Sequence, residues 1–541
     1  MKNIYSASIR SQRLLLVICA AATGLTLASP SQAAAAVPDQ STCTALKTLS
    51  APGYQVDTAE WVNAAQQASR SGGAPIEVPA HCLFRVTLDG RPSGMEDMRY
   101  GIGIELRLPA NWNRRLLFQG GGGLDGSLPT AMGNVAGFPS ALTRGFAVMS
   151  TDGGHRGPSA RFAADQQARL DFGYEAVARS TREAKGLMQR YFGGKPEYTY
   201  FMGCSTGGRE AMMAAQRVPL EFDGVVAGNP SFNLTRIAAN QVFSLQTVTR
   251  LAPKDASGKP LLHEAFTDAQ LKGISEAVLQ QCDALDGLKD GMINDFQACK
   301  FDPRSQVCGT TGASSGAQCL SAAQADGLRT IMGGARNSRG ESLYGSYPYD
   351  TGIAAPAWRA MHLGSADRGP ANATLGRDTL REFAITPPDP TLDPLKFDFD
   401  RDMVRTNETA AINDPVARLL SSFAGRGSKM IVYHGLSDQA MATGALTDWY
   451  QQLLPRDAAG PQQWARLFLI PGMLHCGGGQ ATDQFDMLAA IQNWVEKGQA
   501  PDRVVAAGRA FPDTTRPLCP FPKVARYDSG DVKDQRSFSC R

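Results

Sequence analysis

The chain has 541 residues, with 54 Lys and Arg against 51 Asp and Glu and a formal net charge of +3. Charges of both signs are interspersed, which excludes a basic stripe for nucleic acid and a polybasic run for a membrane surface. Composition is that of an ordinary globular protein, and the length exceeds what one hydrophobic core normally supports.

At the N-terminus, Lys2, Arg10 and Arg13 lead into an apolar run from Leu14 to Leu27, followed by Ser31-Gln-Ala33. This is the pattern of a secretory signal peptide, residues 1–33, cut after Ala33, and it predicts a secreted or periplasmic protein. Cys19 follows the bulky Ile18, so it does not read as a lipoprotein cysteine and leaves with the signal. No later apolar run is long enough to span a bilayer, so no membrane anchoring is expected. Without Cys19 the eleven cysteines become ten, an even number for an oxidising compartment. Many connectivities are open to ten cysteines. Spacing suggests Cys43–Cys82, Cys282–Cys299, Cys308–Cys319, Cys519–Cys540 and Cys204–Cys476. No pair has zinc-finger spacing.

Leu116–Gln119 reads as a strand running into four glycines, Gly120–Gly123. Phe146–Ser150 is a strand, Ala168–Phe192 a helix, and Glu197–Met202 a strand. The last runs into Gly203-Cys-Ser-Thr-Gly207 and then a helical stretch, Arg209–Arg217. A G-x-S-x-G pentapeptide between strand and helix is a nucleophile elbow, which lifts a serine above the sheet. Asp223–Ala227 is the next strand. Residues 232–418 are richer in Pro, Gly and Asp and weakly periodic, and are expected to form a lid domain. Lys429 opens a strand ending in a turn with Asp438, and Arg466 opens another ending in a turn with His475. Asp483–Lys497 is an amphipathic helix, with Phe485, Leu488, Ile491 and Val495 on one side. Alternating strands and helices predict a mostly parallel sheet covered on both faces, an α/β fold. The catalytic domain falls in two parts, 34–231 and 419–541, around the lid.

The order Ser205, Asp438, His475 is that of the α/β-hydrolase fold. A serine hydroxyl needs an imidazole to take its proton, and the imidazole needs a carboxylate to fix its tautomer. His434 competes with His475, but its place within a strand gives it a structural role. The developing oxyanion needs fixed N–H donors, one from Thr206 after the nucleophile and one from the glycine run, where Gly121 is the choice. Cys204 precedes the nucleophile and Cys476 follows the base, so a disulfide between them would tie the two together.

Asp283, Asp286 and Asp290 lie close together with glycines between them. Clustered carboxylates on a turning backbone suit a hard cation such as Ca²⁺, although the spacing is not that of an EF-hand. Asp-Gly turn chemistry with solvated carboxylates is the alternative.

Several segments resemble the tannase/feruloyl esterase family: Gly203–Glu210, Asp223–Gly228, Tyr433–Asp438, Pro471–Cys476 and Arg516–Pro520. The likeness runs from about Cys43 to Cys540. It implies the triad Ser205–Asp438–His475, the Cys204–Cys476 bond, and a lid Ca²⁺ held by Asp283, Asp286, Asp290 and the carbonyls of Leu288 and Met292. No organic cofactor is implied. The substrates implied are small esters of aromatic acids, of hydroxycinnamic or gallic type. A tannase or a terephthalate monoester hydrolase is the alternative, and a non-catalytic binding protein a remote one. The chain departs from the terephthalate-specific pattern. Pro370–Leu375 has no arginine in register, although Arg368 and Arg377 are near. Met441 stands for an aromatic residue, Met361-His362 for a tryptophan pair, and Thr206 for a glutamate. These departures favour a hydroxycinnamate or gallate ester. The oligomeric state is not legible.

Overall fold

Extended segments with continuous or alternating burial build one large sheet. The computed structural model describes residues 39–541 apart from 68–75, 158 and 454–459, so the expected signal peptide lies outside the described residues. The strands are β1 (Tyr54–Val62), β2 (His81–Pro92), β3 (Arg99–Pro109), β4 (Arg115–Gln119) and β5 (Ala147–Thr151). They continue with β6 (Tyr198–Cys204), β7 (Gly224–Gly228), β8 (Lys429–Gly435) and β9 (Ala465–Ile470). Across the sheet the order is β1-β2-β3-β5-β4-β6-β7-β8-β9, and the short strand His155–Arg156 also pairs with β3. The pairs from β1 to β5 are antiparallel. From β5 through β4, β6, β7 and β8 to β9 every pair is parallel.

The longer helices include α1 (Ala176–Phe192), α2 (Thr206–Arg217), α3 (Leu234–Leu251), α4 (Asp268–Cys282), α5 (Ala322–Met332), α6 (Thr443–Leu453) and α7 (Met487–Lys497). Side chains alternate across the pleat, so each central strand feeds two cores. Phe201, Val225, Met430, Val432 and Leu467 face α1, α2 and α6, meeting Leu187, Met212, Leu446 and Trp449. Tyr200, Val226, Ile431 and Phe468 face α7, meeting Leu488, Ile491 and Trp494. Each such side chain contributes about 1.5–3 kcal/mol on burial. Two apolar faces explain why β5 and β7 are buried along their whole length.

Between β7 and β8 the chain runs through residues 229–428, which carry α3, α4 and α5 and an apolar cluster of Ile237, Val248, Phe266, Ile274, Leu328 and Trp358. Two expected helices differ in detail. The stretch from Ala168 contains a π-helical turn, Asp171–Glu175, ahead of α1. The helix expected from Asp483 begins at Met487, because Gln484–Phe485 pairs as a strand with Ala506–Ala507. Asp486 then caps the helix by accepting the Ala489 N–H at 2.9 Å.

Candidate active site

Ser205 sits where β6 turns into α2, with φ 61° and ψ −120°. This conformation is strained for an L-residue by roughly 1–3 kcal/mol. The surrounding backbone enforces it. The Ser205 N–H donates to the Gly228 carbonyl at 3.0 Å, and its carbonyl accepts from the Ser231 N–H at 3.1 Å. The flanking glycines are sterically required. A Cβ on Gly203 would stand 2.6 Å from the Gly207 backbone, and one on Gly207 would stand 2.8 Å from the Gly121 carbonyl oxygen.

Asp438 follows β8, and His475 lies in the turn after β9. His475 Nδ1 and Asp438 Oδ2 are 2.8 Å apart. The same oxygen accepts the Asn229 side-chain amide at 2.7 Å, and Oδ1 accepts the N–H groups of Ala440 and Met441 at 2.8 and 3.0 Å. Burial alone would raise the Asp438 pKa, but the charge and hydrogen bond of His475, with His434 and Asn229 behind them, hold it at about 2. Burial pushes His475 down, and Asp438 more than offsets this, so the imidazole is raised above its ordinary value. With Nδ1 bonded to the carboxylate, Nε2 is the nitrogen left for a hydroxyl proton. His434 is buried, its Nε2 3.1 Å from the Met441 carbonyl and 3.9 Å from Asp438.

Cys204 and Cys476 are bonded, with Cα atoms 6.0 Å apart. That bond brings the chain neighbours of Ser205 and His475 together. The other bonds are Cys43–Cys82, Cys282–Cys299, Cys308–Cys319 and Cys519–Cys540.

The glycine run requires a correction. The Gly121 N–H, expected to face the oxyanion, donates to Glu210 Oε2 at 3.0 Å. The Gly121 carbonyl is also taken, by the Gly207 N–H at 3.1 Å. Both backbone groups of Gly121 are therefore spent on α2. Beside Gly122 a Cβ would meet open space. Thr206 is the first residue of α2, where backbone N–H groups have no partner within the helix. Its hydroxyl donates to the Gly123 carbonyl.

In the acidic loop, Asp283 accepts the N–H groups of Asp290 and Gly291 at 3.2 Å, and Asp286 accepts the Leu288 N–H at 3.0 Å. Asp290 accepts the Met292 N–H at 3.1 Å and pairs with Arg516 at 2.5 Å. Burial first, then repulsion from Asp290 and Asp283, pushes Asp286 up to about 6, although Asn294 and the Leu288 N–H pull it down. The donor chemistry fits a hard cation, which would relieve that repulsion. As they stand, these oxygens are used on N–H groups. Among the described residues no group of three or more His, Cys, Asp or Glu is arranged around a metal position.

Of the residues flanking the expected substrate pocket, Arg377 is paired with Asp378 at 2.7 Å and Arg368 is exposed. His362 is buried against Trp358 and bonded to Ser244 at 2.8 Å. Met441 is buried, its N–H on Asp438. Sequence reasoning missed Asn229, Glu210 and Asp125. For Asn229 one signal was present, a residue tolerant of positive φ straight after a strand; its φ is 35°.

A sequence model described as Tannase and feruloyl esterase matches residues 87–541. The chain belongs to that family. It is a carboxylic ester hydrolase. Among similar proteins is the mono(2-hydroxyethyl) terephthalate hydrolase of Piscinibacter sakaiensis, 38% identical over 90% of this chain and 88% of that protein. The crystal structure of feruloyl esterase B from Aspergillus oryzae covers 93% of this esterase and 100% of its own chain, with a TM-score of 0.77 at 26% identity. A tannin acyl hydrolase from Aspergillus niger shares the fold, with a TM-score of 0.71 at 21% identity over 94% of this chain and 95% of its own. The esterase thus has the α/β-hydrolase-type fold expected of it. Among the described residues no helix is long and apolar enough to cross a membrane.

Proposed function

We propose that this esterase is exported and hydrolyses esters of aromatic acids, of the hydroxycinnamic or gallic type, through an acyl-enzyme on Ser205. The observation that carries the reading is the 2.8 Å contact of His475 Nδ1 with Asp438 Oδ2, on a base whose chain neighbour is bonded to the neighbour of Ser205. Ser205 Oγ attacks the ester carbonyl while its proton passes to His475 Nε2. Asp438 stabilises the resulting imidazolium. The tetrahedral oxyanion takes the N–H of Thr206 and that of Gly122. His475 then protonates the leaving alcohol, and water repeats the sequence to release the acid.

The substrate class follows the names of the relatives. A terephthalate monoester is the second reading, favoured by the 38% identity to the Piscinibacter sakaiensis enzyme. Against it stand Arg377, spent on Asp378, and the exposed Arg368. The basic, apolar and small-residue succession of residues 1–33 and the five disulfides support export. A structural Ca²⁺ held by Asp283, Asp286, Asp290 and the carbonyls of Leu288 and Met292 would brace the inserted segment; no step of the chemistry runs through it.

The deciding experiment is turnover of methyl ferulate, methyl gallate and mono(2-hydroxyethyl) terephthalate by purified, folded protein. Preference for ferulate or gallate is expected. Inactivity on all three would sink the aromatic-ester reading.

A further inference from the structure

Against the glycine run lie two acids that the ester chemistry does not use. Glu210, on α2, is 2% exposed, and Asp125, just past the run, is 8% exposed. Glu210 Oε2 holds the Gly121 N–H at 3.0 Å. Asp125 packs on the same glycine, its Oδ2 standing 2.6 Å from where a Gly121 Cβ would be. The Asp125 N–H returns to the Gly122 carbonyl at 3.0 Å, so Asp125 also closes the turn.

Among the described residues neither carboxyl oxygen of Asp125 meets an N–H or O–H donor. The Glu210 carboxyl bears on the same Gly121 as the Asp125 carboxyl, which makes the two acids close neighbours. Two ionised carboxylates in contact have no hydrogen between them and repel, so a buried pair keeps one proton.

The surrounding charges agree. The buried cation beside the pair is Arg209, whose guanidinium is bonded to the carbonyls of Phe172 at 2.8 Å, Gly173 at 3.1 Å and Asn413 at 3.4 Å. Arg209 also answers the buried Asp414, so one negative charge on the pair is the most it offsets and a second would be uncompensated. Asp152 adds repulsion from the β5 side, and its own nearest cation, Arg156, is 3.7 Å away. His155 lies 3.1 Å from the Cβ position of Gly126, and burial holds it neutral, with a pKa of about 4. Burial first, then Glu210, drives Asp125 well above the ordinary carboxyl range, in keeping with a proton held there.

We infer that Asp125 and Glu210 are positioning residues for ester hydrolysis: as a carboxyl pair sharing one proton they pin Gly121 to α2, which aims the N–H of Gly122 at the oxyanion. The inference rests on the Ser205 reading above. Glu210 supplies the acceptor, and Asp125 supplies the hydrogen that keeps Glu210 in place. Neither touches substrate.

Steady-state kinetics of four variants test it. Glu210→Ala and Asp125→Ala are expected to lower kcat on the order of 10- to 100-fold, the scale of a displaced oxyanion donor, with KM changed less than about threefold. Glu210→Gln keeps an acceptor for Gly121 and adds an N–H toward Asp125. Asp125→Asn supplies a permanent N–H toward Glu210. Both should retain most of kcat and move the alkaline limb of the kcat profile to higher pH, leaving the acid limb set by His475 in place. Alanine variants with wild-type kcat would overturn the inference. So would Asn and Gln variants as poor as the alanines, or, if the alanines do not fold, Asn and Gln variants with an unmoved alkaline limb. Ser205→Ala run in parallel separates the two readings, because residual turnover there sinks the triad rather than the pair.

Discussion

Asn229 donates its side-chain amide to Asp438 Oδ2 at 2.7 Å, the oxygen that also bonds His475. The strand that ends just before Asn229 lies next to the one that Asp438 follows, in parallel register. An acid buried this deeply depends on every donor it has. Asn229→Ala removes one hydrogen bond to a charged group, worth about 1.5–3 kcal/mol. We expect kcat/KM to fall on the order of tenfold, with a lower Tm. Kinetics and thermal unfolding of the same preparation check both, and wild-type values in each would show that Asn229 is a bystander.

Activity should follow the neutral form of His475. Asp438 raises the imidazole pKa, so the proton is held to higher pH than in a free histidine, and kcat/KM should drop as pH falls through a value above 6.5. Asp438→Asn removes the opposing charge, leaving burial to act alone. Its residual activity should therefore have an acid limb shifted to lower pH, with kcat severely reduced. A limb that stays put would assign the titration to another group.

Ser205→Ala should lose turnover by a factor on the order of 10⁶ while keeping its fold. His475→Ala should be nearly dead. His434→Ala leaves the Asp438–His475 contact in place and should cost far less. An inactive His434→Ala beside an active His475→Ala would reverse the assignment of the base.

The Cys204–Cys476 bond spans a sequence separation of 272, against 11 for Cys308–Cys319. Chain entropy assigns the longer loop about 5.6 kcal/mol and the short one about 2.8 kcal/mol, as upper values. Its larger effect is on the site, where small displacements cost on the order of 100-fold in rate. Replacing Cys204 and Cys476 by Ala should therefore cut kcat more steeply than replacing Cys308 and Cys319. Equal kcat in the two double variants would refute this.

Excess chelator should lower Tm while kcat at a temperature well below unfolding changes little, because a cation bound only to the folded state stabilises in proportion to the logarithm of its concentration over Kd. Asp286→Asn should reduce that shift. An unchanged Tm, with no metal by elemental analysis, would leave the loop to its N–H bonds and Arg516.

What the sequence made legible was tied to short-range chemistry. The elbow around Ser205, the turns carrying Asp438 and His475, and the central strands each had a local signature: glycines, apolar runs, a charged residue at a strand end. The cysteine partners followed from spacing and from the expected nearness of serine and base. Long-range partners left no such trace. Glu210 takes the Gly121 N–H across a gap of 89 residues, and nothing local distinguishes Gly121 from its three glycine neighbours. Helix α3 is buried on most sides, which erases the apolar stripe that would have revealed it in a stretch read as weakly periodic. Phe485 reads as a helix residue by spacing, yet sheet pairing with Ala506 claims it.

Synthesis produces Ser205 long before Asp438 and His475. β7 is complete at Gly228, but its free side waits for β8, which opens at Lys429. In the interval β7 is an edge of five buried residues with unpaired N–H and C=O groups, the kind of surface that recruits other chains. The intervening segment has an apolar cluster of its own and can bury itself while the sheet stands open. Cys204 and Cys476 flank this gap, so they can join only in a chain complete through both missing strands. The bond therefore acts as a seal of completion: a molecule that carries it has β8 and β9 available to its sheet and the chain neighbours of Ser205 and His475 joined.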